Sequence, residues 1–339
     1  MSNYLNKIKR VLTNYDLGSL KKYTLVKGGF VNTNYKVITT KGTFFLRHFK
    51  QIKDISKIID VNNFLLELKK RNFPVAKPFF TKNNYSVIEL DGNFFSIYEF
   101  IQGEEYNFSN NHFYNAAKTL ALFHKNVKDI SIKKPALVDI YKDNILKTLV
   151  IGENSLLQKL KKKKRKTNLE SYLIKALERV EEHSILYKKE LNSLEKRNDF
   201  SIIHGDYWFG QLIFQDNKVA ALIDFDEVKI GLTGYDLVRG VRSFPRYLDK
   251  IDYNLDKLSD FLKIYKKFYD EVEFKDGEPI VFLKHALLDI LKFHIYTQAY
   301  TNKDEEAIGI INYHLDELDW IIKNEKKILE TFSCFTMNN

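Results

Sequence analysis

The sequence predicts an α+β protein of two lobes, the first rich in β-strands and the second mainly helical. Three observations carry that expectation. Short β-branched and aromatic runs separated by glycine turns fill the first hundred residues. Apolar residues at three- and four-residue steps dominate most of the remaining chain. One short strand-rich segment, near residues 200–223, interrupts the helical half. A chain of 339 residues is ample for such a core, and the expected division is 1–101 and 102–339.

Each element has its own signal. Residues 24–26, 35–39 and 43–49 read as strands, parted by Lys27-Gly28-Gly29 and Lys41-Gly42. Ile58, Val61, Leu65 and Leu68 then mark an amphipathic helix over 55–71, which Pro74 and Pro78 end. Residues 85–90 and 93–100, joined at Asp91-Gly92, read as a hairpin, and Gly103 closes the β-rich lobe. Helices are expected over 113–127, 169–194, 253–272, 279–300 and 308–332. Within the helical half, 202–203, 212–214 and 219–223 read as three short strands around two loops.

Composition narrows the function class. With 44% hydrophobic and 14% aromatic residues the chain is neither disordered nor collagen-like. The single Cys334 excludes an internal disulfide framework and a cysteine-rich zinc site, and it suits a reducing cytoplasm, the expected location. No apolar signal core adjoins Met1 and no run is long enough for a membrane helix, so no membrane partner is expected. The formal charge of +10 is densest at Lys159–Lys166. That run lacks interleaved aromatics and glycine, and it reads as a solvated face; nucleic acid is not an expected partner.

The chemistry concentrates in Ile202-Ile203-His204-Gly205-Asp206-Tyr207-Trp208-Phe209-Gly210-Gln211-Leu212 and in Leu222-Ile223-Asp224-Phe225-Asp226. An apolar strand delivers the carboxylate of Asp206, an amide comes next at Gln211, and a second strand delivers Asp224. Phosphoryl transfer uses such a set: one carboxylate for the acceptor hydroxyl, an amide oxygen and another carboxylate for Mg²⁺ on the nucleotide phosphates. There is no Gly-x-Gly-x-x-Gly and no Gly-x4-Gly-Lys, which excludes the Rossmann and P-loop routes to nucleotide binding.

These motifs resemble the signature of the aminoglycoside phosphotransferase/choline kinase superfamily, whose members have a protein-kinase-like fold and phosphorylate small molecules with ATP or GTP. The resemblance extends to Gly28-Gly29-Phe30-Val31-Asn32-Thr33-Asn34-Tyr35, Phe45-Leu46-Arg47, Asn72-Phe73-Pro74, Tyr98-Glu99-Phe100-Ile101, Leu120-Ala121-Leu122-Phe123-His124 and Gly234-Tyr235-Asp236-Leu237. It covers roughly residues 20–245 and is nearest to the homoserine kinase-like and choline kinase-like branches. It implies that Asp206 is the catalytic carboxylate and that Gln211 and Asp224 ligate Mg²⁺. It places Asn32, Thr33 and Asn34 in a turn over the phosphates, Arg47 reaching them, and Glu99, Phe100 and Ile101 at the hinge holding the base. The Arg47 partner is expected on the next helix, at Asp60 or Glu67, with Asp60 preferred. Gln211 departs from the family, which usually has Asn there.

The expected activity is ATP-dependent O-phosphotransfer to a small hydroxylated metabolite. The alternative is a kinase-like protein that binds nucleotide or a partner without turnover, of the spore-coat-associated type. For the acceptor, Tyr207 and Trp208, with Tyr235 and Trp320, are candidates for an aromatic cage around a cation. Arg239 and Arg242, one turn apart, or Arg246, are candidates for gripping an anion. Their spacing favours an acceptor with an anionic or strongly polar group. His204 and His124 are expected to be structural.

Overall fold

The computed structural model describes residues 2–26, 32–50, 54–130, 144–194, 200–244, 253–275 and 277–336. The chain forms two compact units. The first comprises Met1–Asn115, Asp129–Ile132 and Phe209–Val228, the second Ala116–Lys128, Lys133–Trp208 and Lys229–Asn339. The boundary expected at 101/102 therefore falls inside the first unit, and the 209–228 segment groups with that unit too.

In the first unit, α1 (Ser2–Leu12) precedes the strands β1 (Leu20–Val26), β2 (Thr33–Thr39) and β3 (Gly42–Phe49). Next come α2 (Ile55–Lys70), β4 (Pro78–Phe79), β5 (Ile88–Leu90) and β6 (Asn93–Glu99). The sheet order is β1-β2-β3-β6-β4, with β5 also on β6, and every pairing is antiparallel. Alternation decides which side chains face the core: Tyr35 and Val37 of β2 and Phe44 and Leu46 of β3 are buried with Phe95 and Ile97 of β6. Ile8, Val11 and Leu12 of α1 join this cluster. That helix was absent from the sequence expectations, although Leu5, Ile8, Val11 and Leu12 recur at three- and four-residue steps.

Arg47 alternates with Leu46 and His48, so it emerges on the opposite face of β3. The register sets it against Asn34 on one side and Ser96 on the other. Asp91 and Gly92 both have positive φ, 53° and 67°, the two-residue turn that a twisted hairpin prefers. Only Ile88–Leu90 of the expected 85–90 strand pairs. The 212–222 hairpin belongs to this unit: Leu212–Gln215 pairs with Lys218–Leu222 across Asp216 and Asn217, both at positive φ. Glu104 and Phe214 exchange backbone hydrogen bonds of 2.8 Å each, and Leu222 N–H donates to Pro74 C=O at 2.8 Å. Gly103 permits this approach, since a Cβ there would lie 2.3 Å from Phe214 O.

The second unit is helical around a two-stranded sheet, Phe200–Ile203 with Lys229–Leu232. Every residue of its Thr233–Ser243 helix is buried, the mark of a helix surrounded by others. The stretch expected as one helix over 279–300 is an α-helix, Glu278–Lys292, continued by a π-helical segment, Phe293–Thr301. The last expected helix is two, Ala307–Lys323 and Glu325–Thr336, parted at Asn324. In the basic run, Lys161–Lys166 are exposed, and Lys161 and Lys163 pair with Glu178 and Glu170. Among the described residues no helix is long and apolar enough to cross a membrane. The Lys27-Gly28-Gly29 turn, Phe30, Val31 and Arg246 lie outside the described residues.

Candidate functional site

The site residues expected from sequence fall into two groups, one in each unit. In the first unit, the strand Lys218–Leu222 runs into Asp224, whose backbone is left-handed at φ 63°, ψ 66°. This is a conformation that a non-glycine residue holds only under constraint. It turns the chain so that Asp224 and Asp226 both reach Arg47. The Nη2 of Arg47 donates to Asp224 Oδ1 at 2.8 Å and lies 3.0 Å from Asp226 Oδ2. Asn32 Nδ2 donates to the same Asp226 oxygen at 2.7 Å. Gln211 Nε2 is 3.4 Å from Asp224 Oδ2.

Burial opposes the charge of Arg47, but Asp226 and then Asp224 outweigh it and hold the guanidinium above its ordinary pKa. Burial pushes Asp226 upward, Arg47 only partly offsetting it, and the neighbouring Asp224 carboxylate adds to the rise. Two carboxylates thus face one guanidinium, and the Gln211 amide adjoins one of them. Arg47 Nε and the Oδ1 atoms of Asn32 and Asn34, all buried, have no hydrogen-bond partner among the described residues, and neither does Thr33 Oγ1, which the register puts on the opposite face of the sheet with His48. The donor set of Asp224, Asp226 and the Gln211 amide is all oxygen when the amide turns its carbonyl inward, which fits a hard divalent cation such as Mg²⁺. Arg47, whose Nε is an unused donor, fits phosphate oxygens, whereas the Oδ1 atoms of Asn32 and Asn34 are acceptors and do not. Among the described residues no group of three or more His, Cys, Asp and Glu forms a metal cage.

The expected partner of Arg47 needs correction. Asp60 is exposed on α2, and Glu67 bonds its own helix neighbours, Arg71 at 3.2 Å and Lys70 at 3.5 Å. The face of α2 turned inward carries Ile58, Asn62, Leu65 and Leu68, so neither carboxylate points at the sheet. Asn62 takes the inward polar position instead. It accepts from Tyr98 OH at 2.8 Å and donates to Ser86 O at 3.0 Å. At the end of β6, Glu99 accepts from Lys69 Nζ at 3.1 Å, its N–H donates to Lys77 O at 2.8 Å, and Lys36 Nζ sits 4.3 Å over the Phe100 ring. Ile101 is half-buried beyond them.

In the second unit, Asp206 comes after the Phe200–Ile203 strand. Its loop is pinned by a residue to which the sequence assigned no role, the fully buried Asp236. Asp236 accepts from His204 N–H at 2.7 Å and from Gly205 N–H at 2.8 Å, and it lies 3.1 Å from His124 Nε2. His124 in turn meets Tyr265 OH at 2.6 Å. Burial would raise the Asp236 carboxyl, yet the bond to His124 and the charge around it hold it below the usual range. Gly205 has φ 79°, a conformation suited to glycine, which lets two successive N–H groups converge on one carboxylate.

Arg239 reaches from the Thr233–Ser243 helix to Asp206. Its Nη2 donates to Asp206 Oδ1, and its Nη1 donates to Tyr235 OH at 2.9 Å and lies 3.7 Å from Asp289 Oδ2. Arg242 does not share that target, contrary to the paired grip expected from the spacing. Its Nη2 donates to the buried Glu317 at 2.9 Å, which also accepts from Tyr253 OH at 2.5 Å. Tyr207 is fully buried with its hydroxyl donating to Ala116 O at 2.8 Å, a packing role in place of the expected acceptor contact. Trp208 is 38% exposed, and Trp320 packs on Tyr253 at 5.1 Å between ring centroids. Signals for the missed residues were present. Asp226 lies two residues beyond Asp224 in the same motif, and Asp236 lies within Gly234-Tyr235-Asp236-Leu237.

Known proteins resemble this chain over most of its length. The model of the phosphotransferase enzyme family matches residues 22–255. A homoserine kinase from Bartonella henselae is 25% identical over 295 residues, covering 86% of this chain and 86% of that protein. A second, from Bartonella tribocorum, is 23% identical over 312 residues, covering 89% of each. Among solved structures, an amicoumacin kinase in complex with AMP-PNP, Ca²⁺ and Ami superposes with a TM-score of 0.69 at 16% identity, covering 93% of both chains. A microcompartment-associated aminopropanol kinase superposes at 0.64 with 15% identity, covering 94% of this chain and 98% of its own. These likenesses bear out the two-lobed kinase-like fold.

Proposed function

The chain belongs to the phosphotransferase enzyme family and is a small-molecule kinase; from that premise we propose that it transfers the γ-phosphoryl group of ATP, with Mg²⁺, to the hydroxyl of a small amino-bearing alcohol, a hydroxylated amino acid first among them. The observation that carries the reading is the meeting of Arg47 with both Asp224 and Asp226 beside Gln211. It joins a phosphate-binding fork to metal-binding oxygens. The two homoserine kinases, similar along most of the chain, favour the amino-acid acceptor.

The roles divide between the units. In the first, residues 99–101 hold the base, Arg47 holds phosphate oxygens, and Gln211, Asp224 and Asp226 hold the cation. The bound cation screens the phosphate charge that builds during transfer. In the second, Asp206 orients the acceptor hydroxyl and accepts its proton, and Trp208 borders the acceptor. Because the Arg47 guanidinium is already paired with two carboxylates, phosphate and cation binding exchange partners on a preformed set, which favours their arriving together.

The test is a phosphorylation screen with Mg-ATP and Mg-GTP over L-homoserine, 1-amino-2-propanol, choline, sugars and nucleosides, read by ³¹P NMR and ADP release. Phosphorylation of an amino alcohol, with L-homoserine foremost, is the expected result. Tight nucleotide binding with no acceptor turned over would favour the binding protein without turnover.

A further inference from the structure

We infer that Arg239 is the residue that positions Asp206 for proton transfer, and that Tyr235 and Asp289 hold it in place to do so. The inference rests on the reading of Asp206 as the group that meets the acceptor hydroxyl. A carboxylate at the end of a loop can rotate about two side-chain bonds, whereas in-line transfer needs one of its oxygens on the acceptor hydroxyl. The backbone of this loop is fixed by Asp236, which accepts from His204 and Gly205 N–H. Those bonds end one residue short of Asp206 and do not reach its side chain. Arg239 does reach it, since its Nη2 donates to Asp206 Oδ1.

Arg239 is itself well anchored. It is 7% exposed and grows from a helix in which every residue is buried, so its stem has little freedom. Its second nitrogen donates to Tyr235 OH at 2.9 Å, and the same nitrogen is 3.7 Å from Asp289 Oδ2 on the Glu278–Lys292 helix. The guanidinium lies 5.8 Å from the Tyr235 ring centroid, a further cation–π contact. Tyr235 is four residues before Arg239 and faces the same way along the helix. The planar fork thus gives one nitrogen to its anchors and aims the other at Asp206, a geometry that lysine cannot reproduce. Arg242, one turn further on, serves Glu317 instead. Only the first of the two arginines addresses the catalytic loop, and it does so as a positioning residue in place of the anion grip expected from spacing.

The test is a double-mutant cycle on the full-length enzyme, using the acceptor of the screen that turns over fastest. Arg239→Ala is expected to lower kcat by about 10–100-fold while acceptor KM and nucleotide Kd move less than about threefold. In an Asp206→Asn background the same change should cost less than about twofold, because the carboxylate it aims is gone. Tyr235→Phe and Asp289→Asn should give smaller kcat losses of about threefold, which also vanish with Asp206→Asn. These milder changes carry the cycle if Arg239→Ala lowers the yield of folded protein. Guanidinium ion added to Arg239→Ala should restore part of kcat. Equal costs in both backgrounds would overturn the inference, and a rise confined to acceptor KM would return Arg239 to the role of anion grip. Full turnover by Asp206→Asn would instead remove the reading beneath it, an outcome visible before any arginine is changed.

Discussion

Asp224 and Asp206 each come after a short apolar strand, yet their surroundings differ. Asp224 shares Arg47 with Asp226, and the Arg47 Nε and the Oδ1 atoms of Asn32 and Asn34 lack hydrogen-bond partners among the described residues. Asp206 stands on a loop whose backbone is tied to the buried Asp236, and its side chain is tied to a buried arginine that is itself anchored. The first group has more binding capacity than its own residues use. The second has its partners in place. The proposed roles account for the difference: taking up a polyanion with its cation calls for capacity in reserve, and aiming one carboxylate oxygen calls for a fixed side chain.

The largest expected effect comes from removing the brace of the second group. Asp236→Ala leaves two buried N–H groups and His124 without their acceptor, and thermal and denaturant unfolding should show a loss of about 3 kcal/mol. A loss below about 1 kcal/mol would mean that the loop does not depend on Asp236. Asp206→Asn should leave nucleotide affinity nearly unchanged and lower turnover by at least about 100-fold, the scale for a positioned acid–base group. Steady-state kinetics beside calorimetric nucleotide titration separates the two effects, and turnover within a few-fold of the parent would break the contrast.

For the first group, Asp224→Ala should weaken Mg²⁺-dependent nucleotide binding by about 10-fold or more while leaving unfolding nearly as it was. An unchanged Mg²⁺ midpoint would count against the reserve capacity assigned to this group. A further effect is a pH dependence of stability in the second unit. Burial pushes the His314 imidazole down to about 4, Glu317 and Arg242 acting on it in opposite directions. A pKa lowered in the fold means that the neutral ring is the stable form. Its contribution is complete above the ordinary value of 6.5 and is lost as pH falls from there towards about 4. Melting temperatures measured from pH 7.5 to pH 4.5 should fall, by roughly 2 kcal/mol of stability from this residue. His314→Gln should remove its share of that slope and leave the share of His285, which burial also pushes down to about 4, and an unaltered slope would place the dependence elsewhere.

Much of the architecture was legible in the chain because its signals are local. The Asp91-Gly92 turn, the period of α2 and the spacing from Asp206 to Gln211 to Asp224 each depend on neighbours within about twenty residues. The errors have one cause in common. Asp60 and Glu67 share a helix face, and the sequence does not say whether that face meets the sheet; Asn62, Leu65 and Leu68 occupy the inward side. Arg239 and Arg242 are one turn apart, but Asp206 and Glu317, which capture them separately, lie far away along the chain. Tyr207 adjoins the catalytic loop in sequence and is a core residue in space.

By itself the sequence determined the two-lobed class, most of the strands of the first unit and the longer helices, and the loops that present Asp206, Gln211 and Asp224. Those arise from hydrophobic period, turn chemistry and short-range spacing, which are written along the chain. Only the tertiary structure decided who neutralises whom: Arg47 with Asp224 and Asp226, Arg239 with Asp206, Arg242 with Glu317, and Asp236 with the catalytic backbone. A charge pairs with whatever opposite charge or donor packing brings within hydrogen-bond reach. That proximity is set by strand register and helix packing between segments up to about two hundred residues apart, which no local pattern encodes.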